Sequence, residues 1–109
     1  MRHNNSHFQI LSACKNGYIG VCDCCQQFNF SYNNVLLLFS EEEMTNFFDW
    51  LMAYRHSREN FVSLPDGRDR IYSSPHSNLF LVYSDSELDE LSDLFAEVKI
   101  MLEVRKIMS

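Results

Sequence analysis

The sequence predicts one α+β domain in which a mostly antiparallel sheet carries two amphipathic helices on one face. Three observations lead to this prediction: short apolar runs flank turn residues, aromatic and polar residues alternate over 28–32, and two capping boxes each precede a helical apolar stripe. The expected element order is β-β-β-β-α-β-β-α. We expect the domain to span residues 8–108, and residues 1–7 to form a flexible N-terminal tail.

The first predicted hairpin turns at Asn16-Gly17, because these residue types tolerate the positive φ angles of a tight turn. A two-residue turn at this point pairs Cys14 with Ile19 and Cys22 with Leu11. Side chains alternate between the two faces of a strand, so this register directs Cys14 and Cys22 to opposite faces of the sheet.

The second predicted hairpin turns at Asn33-Asn34. Its first strand shows the period-two pattern of a half-buried strand, and its second strand is the apolar run 35–39. A two-residue turn gives the following pairs, with all six side chains on one face: Tyr32 with Val35, Phe30 with Leu37, and Phe28 with Phe39.

Each predicted helix begins with a capping box, Ser40 with Glu43 and Ser84 with Glu87. The second helix is expected to run from Asp85 to Lys106. The apolar stripes at helical spacing are Met44, Phe47, Phe48, Leu51 and Tyr54 in the first helix, and Leu88, Leu91, Phe95, Val98 and Leu102 in the second.

The two halves of the chain align at an offset of 44 residues, since 37–40 matches 81–84 and each match leads into a capped helix. This pattern predicts a tandem β-β-α pseudo-repeat. One such unit cannot cover its own apolar sheet face. We therefore expect the two units to share a single sheet, with both helices on one side.

The net charge of −6 disfavours binding to the phosphate backbone of nucleic acids. No apolar stretch approaches the length needed to cross a bilayer, and the first residues lack the apolar core of a signal peptide. The expectations are a cytoplasmic protein, no nucleic-acid partner and no membrane association.

Cys22 and Cys25 form a Cys-x-x-Cys at the tip of a predicted hairpin, which is one half of a zinc site. Cys14 is expected on the other face and would become the third ligand only through a bulge in its strand. Otherwise the further ligands would be Cys24 or a histidine, and the histidines are His3, His7, His56 and His76. Two alternatives stay open: buried thiols that act as small apolar residues, and thiol redox chemistry. The cofactor is therefore either none or zinc.

Four arginines, Arg55, Arg58, Arg68 and Arg70, cluster between the two predicted helices. They are candidates for binding an anion or the acidic surface of a partner. The alternative is that they are solvated loop charges interleaved with acidic residues.

The last predicted helix carries a second apolar row, which includes Leu94, Met101 and Val104. A helix of this length measures about 33 Å at 1.5 Å per residue, whereas a typical strand measures about 17–20 Å. The helix is thus too long for one strand length to cover. These residues are candidates for contact with the first helix of the same chain or, in a two-fold dimer, with a second copy of the chain.

The order of motifs resembles a small family of Bacteroidota proteins of unknown function. The resemblance rests on Gly17, Ile19, Cys22 and Cys25, on the run from Asn34 to Ser40, and on the Glu-rich helix start that follows. It covers residues 8–108 and implies the fold and a cytoplasmic origin, but no mechanism. Cys22 and Cys25 match the Cys-x-x-Cys of the family, and Cys24 is an additional thiol.

The function expected from these patterns is a non-enzymatic interaction module. Its expected partner is another protein or a second copy of the chain, which would form a homodimer through the C-terminal helix. The alternative is a small metal-binding or thiol-dependent regulatory protein that uses Cys22 and Cys25. An enzyme is not favoured, because no nucleophile and base stand at a recognisable spacing.

Overall fold

A computed structural model describes residues 8–108 and confirms the α+β class. The two α-helices follow two groups of antiparallel strands, and a short 3-10 turn at Arg58–Asn60 links the halves. The elements in chain order are β1 (Phe8–Cys14), β2 (Gly17–Cys22), β3 (Gln27–Tyr32), β4 (Val35–Phe39), α1 (Glu41–Ala53), β5 (Arg70–Ser73), β6 (Phe80–Tyr83) and α2 (Asp85–Met108). The predicted N-terminal tail, residues 1–7, lies outside the described residues.

The second predicted hairpin is confirmed pair by pair. Tyr32 lies opposite Val35, and the strands continue in the predicted register to Phe28 and Phe39. Asn33 adopts a φ of 53°, the left-handed conformation that asparagine tolerates in a turn.

The predicted position of the first turn is wrong by one residue. Cys14 pairs with Gly17, so the turn consists of Lys15 and Asn16, and Gly17 begins β2. Although Gly17 lies outside the turn, a glycine is still required there, because a Cβ at this position would lie 2.0 Å from the Ser31 carbonyl oxygen on β3. A register shift between Ile10 and Ser12 accommodates the extra residue of β1 as a bulge.

The expectation of a single shared sheet is also wrong. Strands β1 to β4 form one four-stranded meander, whereas β5 and β6 pair with each other in a separate two-stranded sheet. The two sheets contact each other through side chains where the rings of Tyr32 on β3 and Tyr83 on β6 pack edge to face, with their centres 6.1 Å apart. The predicted β-β-α order is present in both halves, as β3, β4 and α1 in the first and as β5, β6 and α2 in the second.

Both predicted capping boxes are present. The Glu43 amide donates to Ser40 Oγ and the Ser40 amide to Glu43 Oε1, and Ser84 and Glu87 make the same reciprocal pair. Helix α1 ends at Ala53, and α2 continues to Met108, beyond the expected end at Lys106.

The core lies between the meander and the two helices. The rings of Phe48 on α1 and Phe95 on α2 stack at 4.6 Å, which joins the helices above one sheet face. This confirms the prediction that both helices cover the same face. The buried residues of this core include Ile19, Val21, Phe28, Phe30, Met44, Phe48, Leu51, Leu88, Leu91, Leu94 and Val98.

Neither helix within residues 8–108 combines the length and the apolar composition that crossing a membrane requires.

Candidate metal centre

The loop that joins β2 to β3 consists of residues 23–26 and is closed by its own hydrogen bonds. The Gln26 amide donates to the Cys22 carbonyl oxygen at 2.7 Å, and Gln26 Nε2 donates to the Asp23 carbonyl oxygen at 2.8 Å. Gln26 has a φ of 58°, which turns the chain sharply into β3. We call residues 22–26 the thiol loop, because this turn folds three cysteines toward one another.

The sulfur atoms of Cys22, Cys24 and Cys25 all lie within 4.8 Å of one another. A hydrogen bond of 3.0 Å joins the Cys22 and Cys24 sulfurs. Two sulfur ligands of a tetrahedral zinc ion lie roughly 3.8 Å apart, given Zn–S bonds of about 2.3 Å. Small side-chain adjustments would therefore place all three sulfurs on one ion.

Cys22 and Cys24 differ in the acidity of their thiols. The hydrogen bond from Cys24 holds the pKa of Cys22 below its ordinary value, despite the opposing effect of burial. The same hydrogen bond, together with burial and the neighbouring sulfurs, raises the pKa of Cys24 to about 11. Cys22 is thus the more readily ionised of this pair.

The loop is also connected to the last turns of α2. Arg105 Nη2 lies 2.5 Å from Asp23 Oδ1, and Arg105 Nη1 donates to Gln9 Oε1 at 2.9 Å. The carboxylate of Asp23 therefore points toward the helix, and Asp23 does not join the group of candidate ligands.

Cys14 does not join the cluster, as the sequence predicted. Cys14 is paired with Gly17 on β2, and Gly17 is paired with the buried Tyr32 on β3. Because paired residues of neighbouring strands lie on the same sheet face, the Cys14 side chain is on the helix-covered face. Cys22 follows the core residue Val21 and points to the other face. His56 and His76 are not part of the sulfur cluster either, and His3 and His7 lie outside the described residues.

A family model described as a family of unknown function (DUF6686) matches residues 4–108. The chain belongs to this family. No curated protein and no solved structure matches the chain. The expected membership in a family of unknown function is therefore confirmed, and the chemistry of this family member has to be argued from its own side chains.

Three of the four candidate arginines bind the acidic first turns of α2. Arg55 pairs with Asp89 at 2.6 Å, and Arg68 makes two hydrogen bonds of 3.0 Å to Glu87. Their electrostatic role is internal, because they join the segment between the helices to the N-terminus of α2.

Arg70 is the most deeply buried of these arginines, with 4% of its surface exposed. It pairs with Asp69 and Asp85, and its guanidinium lies 4.1 Å from the centre of the Phe61 ring. Arg58 is exposed. Binding of an external anion or acidic partner stays a prediction, and the internal ion pairs give Arg55, Arg68 and Arg70 a structural role.

The second apolar row of α2 differs from the predicted one. Leu94 is only 2% exposed and belongs to the core, and Met101 is partly buried and packs against that core, so both residues contact the domain's own core, and their role in self-association stays a prediction. Val104 is exposed, as expected. It lies on one helix face with Ile100 and Ile107, which are 63% and 81% exposed.

Sequence reasoning missed two features of this region. The first is the outward row of Ile100, Val104 and Ile107, whose i, i+4, i+7 spacing was visible in the sequence. The second is the contact between Asp23 and Arg105. These residues are 82 positions apart, and no local pattern connects them.

Proposed function

We propose that this chain is a metal-binding module whose thiol loop holds one ion through Cys22, Cys24 and Cys25. The observation that carries this proposal is the convergence of the three sulfurs within 4.8 Å on a loop closed by its own hydrogen bonds. Thiolates bind soft and borderline metals such as Zn²⁺ and Cu(I). An ion bound here would link the ends of β2 and β3 and so stabilise the sheet.

Native mass spectrometry of the reduced protein, purified without chelator and then supplied with one equivalent of Zn²⁺, tests this function. We expect one bound ion per chain. Cys22→Ser should lose it, because a serine hydroxyl does not replace a thiolate ligand. The matched control is Cys14→Ser, which removes a thiol from the opposite sheet face and should retain the ion.

Thermal unfolding gives a second readout of the same proposal. The metal-loaded protein should have a higher Tm than the protein treated with chelator, and the difference should vanish in Cys22→Ser. Equal metal content in Cys22→Ser and the unsubstituted chain would contradict the assignment of the site.

Self-association is a second candidate function, supported by the exposed row of Ile100, Val104 and Ile107 on α2. Large apolar side chains in one row on a helix end are typical of contacts between helices. We propose that this row, rather than Leu94 and Met101, forms the contact between two copies of the chain.

A further inference from the structure

The thiol loop offers three ligands, whereas a structural zinc site almost always has four. In the part of the chain from 8 to 108, no histidine, acidic residue or further cysteine joins the three sulfurs. A zinc ion at this loop would therefore have to complete its coordination from elsewhere.

The nearest carboxylate in sequence is held away from the sulfurs. Arg105 binds Asp23 Oδ1 at 2.5 Å, and the Asp23 carbonyl oxygen accepts a hydrogen bond from Gln26. The loop thus presents sulfur to a metal and directs its oxygen atoms to other partners. A donor set of sulfur alone is one that the soft ion Cu(I) accepts.

We propose that the ion held by the thiol loop is Cu(I), bound by three sulfurs in preference to Zn²⁺. This inference rests on the metal-binding function proposed above. Cu(I) is a soft ion that accepts thiolates and is satisfied by fewer than four ligands, so the three sulfurs complete its coordination. Zn²⁺ at the same sulfurs would need a fourth ligand from outside residues 8–108, such as a water molecule.

Binding breaks the S–H bond of each thiol that becomes a ligand, forms a metal–sulfur bond in its place and releases the proton to solvent. Copper enters and remains as Cu(I), so the step transfers no electron. The probe is Cu(I) supplied anaerobically as its acetonitrile complex to the reduced 109-residue chain.

Competition between the two ions tests the proposal. We expect Cu(I) to displace Zn²⁺ at equal concentrations, and X-ray absorption to show three sulfur neighbours around copper. Cys25→Ser should weaken Cu(I) binding by more than about tenfold, because it removes a ligand, and even the loss of a group that only supports a ligand costs about 10–100-fold at other metal sites. Cys14→Ser should leave it unchanged.

The possible failures are distinguishable from one another. Retention of Zn²⁺ against Cu(I), or a nitrogen neighbour at the bound metal, would overturn the Cu(I) assignment and leave the metal-binding function intact. Binding of neither ion would overturn both proposals.

Arg105→Gln provides an independent test, because it releases the Asp23 carboxylate as an oxygen donor that favours Zn²⁺ over Cu(I). We expect the preference for Cu(I) to decrease in this variant and to recover when Asp23→Asn is added. An unchanged preference in Arg105→Gln would contradict the role given to the contact between Asp23 and Arg105.

Discussion

Arg105 near the end of α2 binds Asp23 in the thiol loop, with Nη2 and Oδ1 separated by 2.5 Å. Both side chains are partly exposed, so the contact contributes about 0–1 kcal/mol to global stability. Its consequence is local: the final turns of the longest helix restrain the loop that carries the three thiols.

Replacing this arginine should therefore loosen the loop without unfolding the domain. In Arg105→Gln we expect faster amide hydrogen exchange in residues 23–26 and a Tm close to that of the unsubstituted chain. Lys99→Gln is the control, because Lys99 also lies on α2 and its ammonium packs over the Phe95 ring of the same helix. Equal exchange in the two variants would show that Arg105 does not restrain the loop.

The exposed row of α2 predicts an oligomeric state that depends on Ile100 and Ile107. Sedimentation velocity should detect a dimer of the unsubstituted chain, and the double substitution Ile100→Glu and Ile107→Glu should give a folded monomer, because charged side chains oppose the burial of this row. If the unsubstituted chain sediments as a monomer at every concentration, self-association is removed as a candidate function.

Leu94→Ala provides the contrast within the same helix. Leu94 is buried, so its truncation should lower the free energy of unfolding by about 2–5 kcal/mol. Urea unfolding measures this change. A loss well below that range would mean that the core relaxes around the cavity.

The ion pairs at the N-terminus of α2 predict a loss of stability in acid. Burial raises the pKa of Glu87, but hydrogen bonds from Arg68 and the Ser84 amide outweigh this effect and hold the pKa below its ordinary value of 4.5. A carboxyl whose pKa is lower in the folded state stabilises the fold above its unfolded pKa. This contribution is lost as the pH falls below about 4.5.

Urea unfolding between pH 7 and pH 3 measures this dependence. Glu87→Gln should lower the free energy of unfolding at pH 7 by about 1–2 kcal/mol, and the remaining dependence on pH below 4.5 should be weaker than in the unsubstituted chain. If the free energy of unfolding of Glu87→Gln depends on pH as strongly as that of the unsubstituted chain, other carboxyl groups dominate acid unfolding.

Gly17 should be intolerant of any side chain. In Gly17→Ala the new methyl group would meet the Ser31 carbonyl, and the resulting displacement of β3 should lower the free energy of unfolding by about 1–3 kcal/mol or more. In Gly67→Ala nothing lies within 4 Å, so only the strain of a φ of 88° applies, about 1–2 kcal/mol. Comparing the two urea midpoints separates steric contact from backbone strain.

The sequence by itself determined the elements whose signals are local. The capping boxes of Ser40 and Ser84 and the register of β3 against β4 depend on residues that are neighbours in the chain, and the structure confirms them. The separation of Cys14 from Cys22 was also predictable, because strand alternation preserves it even though the turn begins one residue earlier than expected.

Only the tertiary structure decided which residues remain available for function. The burial of Leu94, the pairing of three arginines with the start of α2 and the contact between Asp23 and Arg105 depend on how α2 crosses the sheet. That crossing results from packing between segments far apart in the chain. The same holds for β5 and β6, which form a sheet of their own apart from the meander. The sequence of a strand does not specify whether it pairs with the edge strand of another sheet.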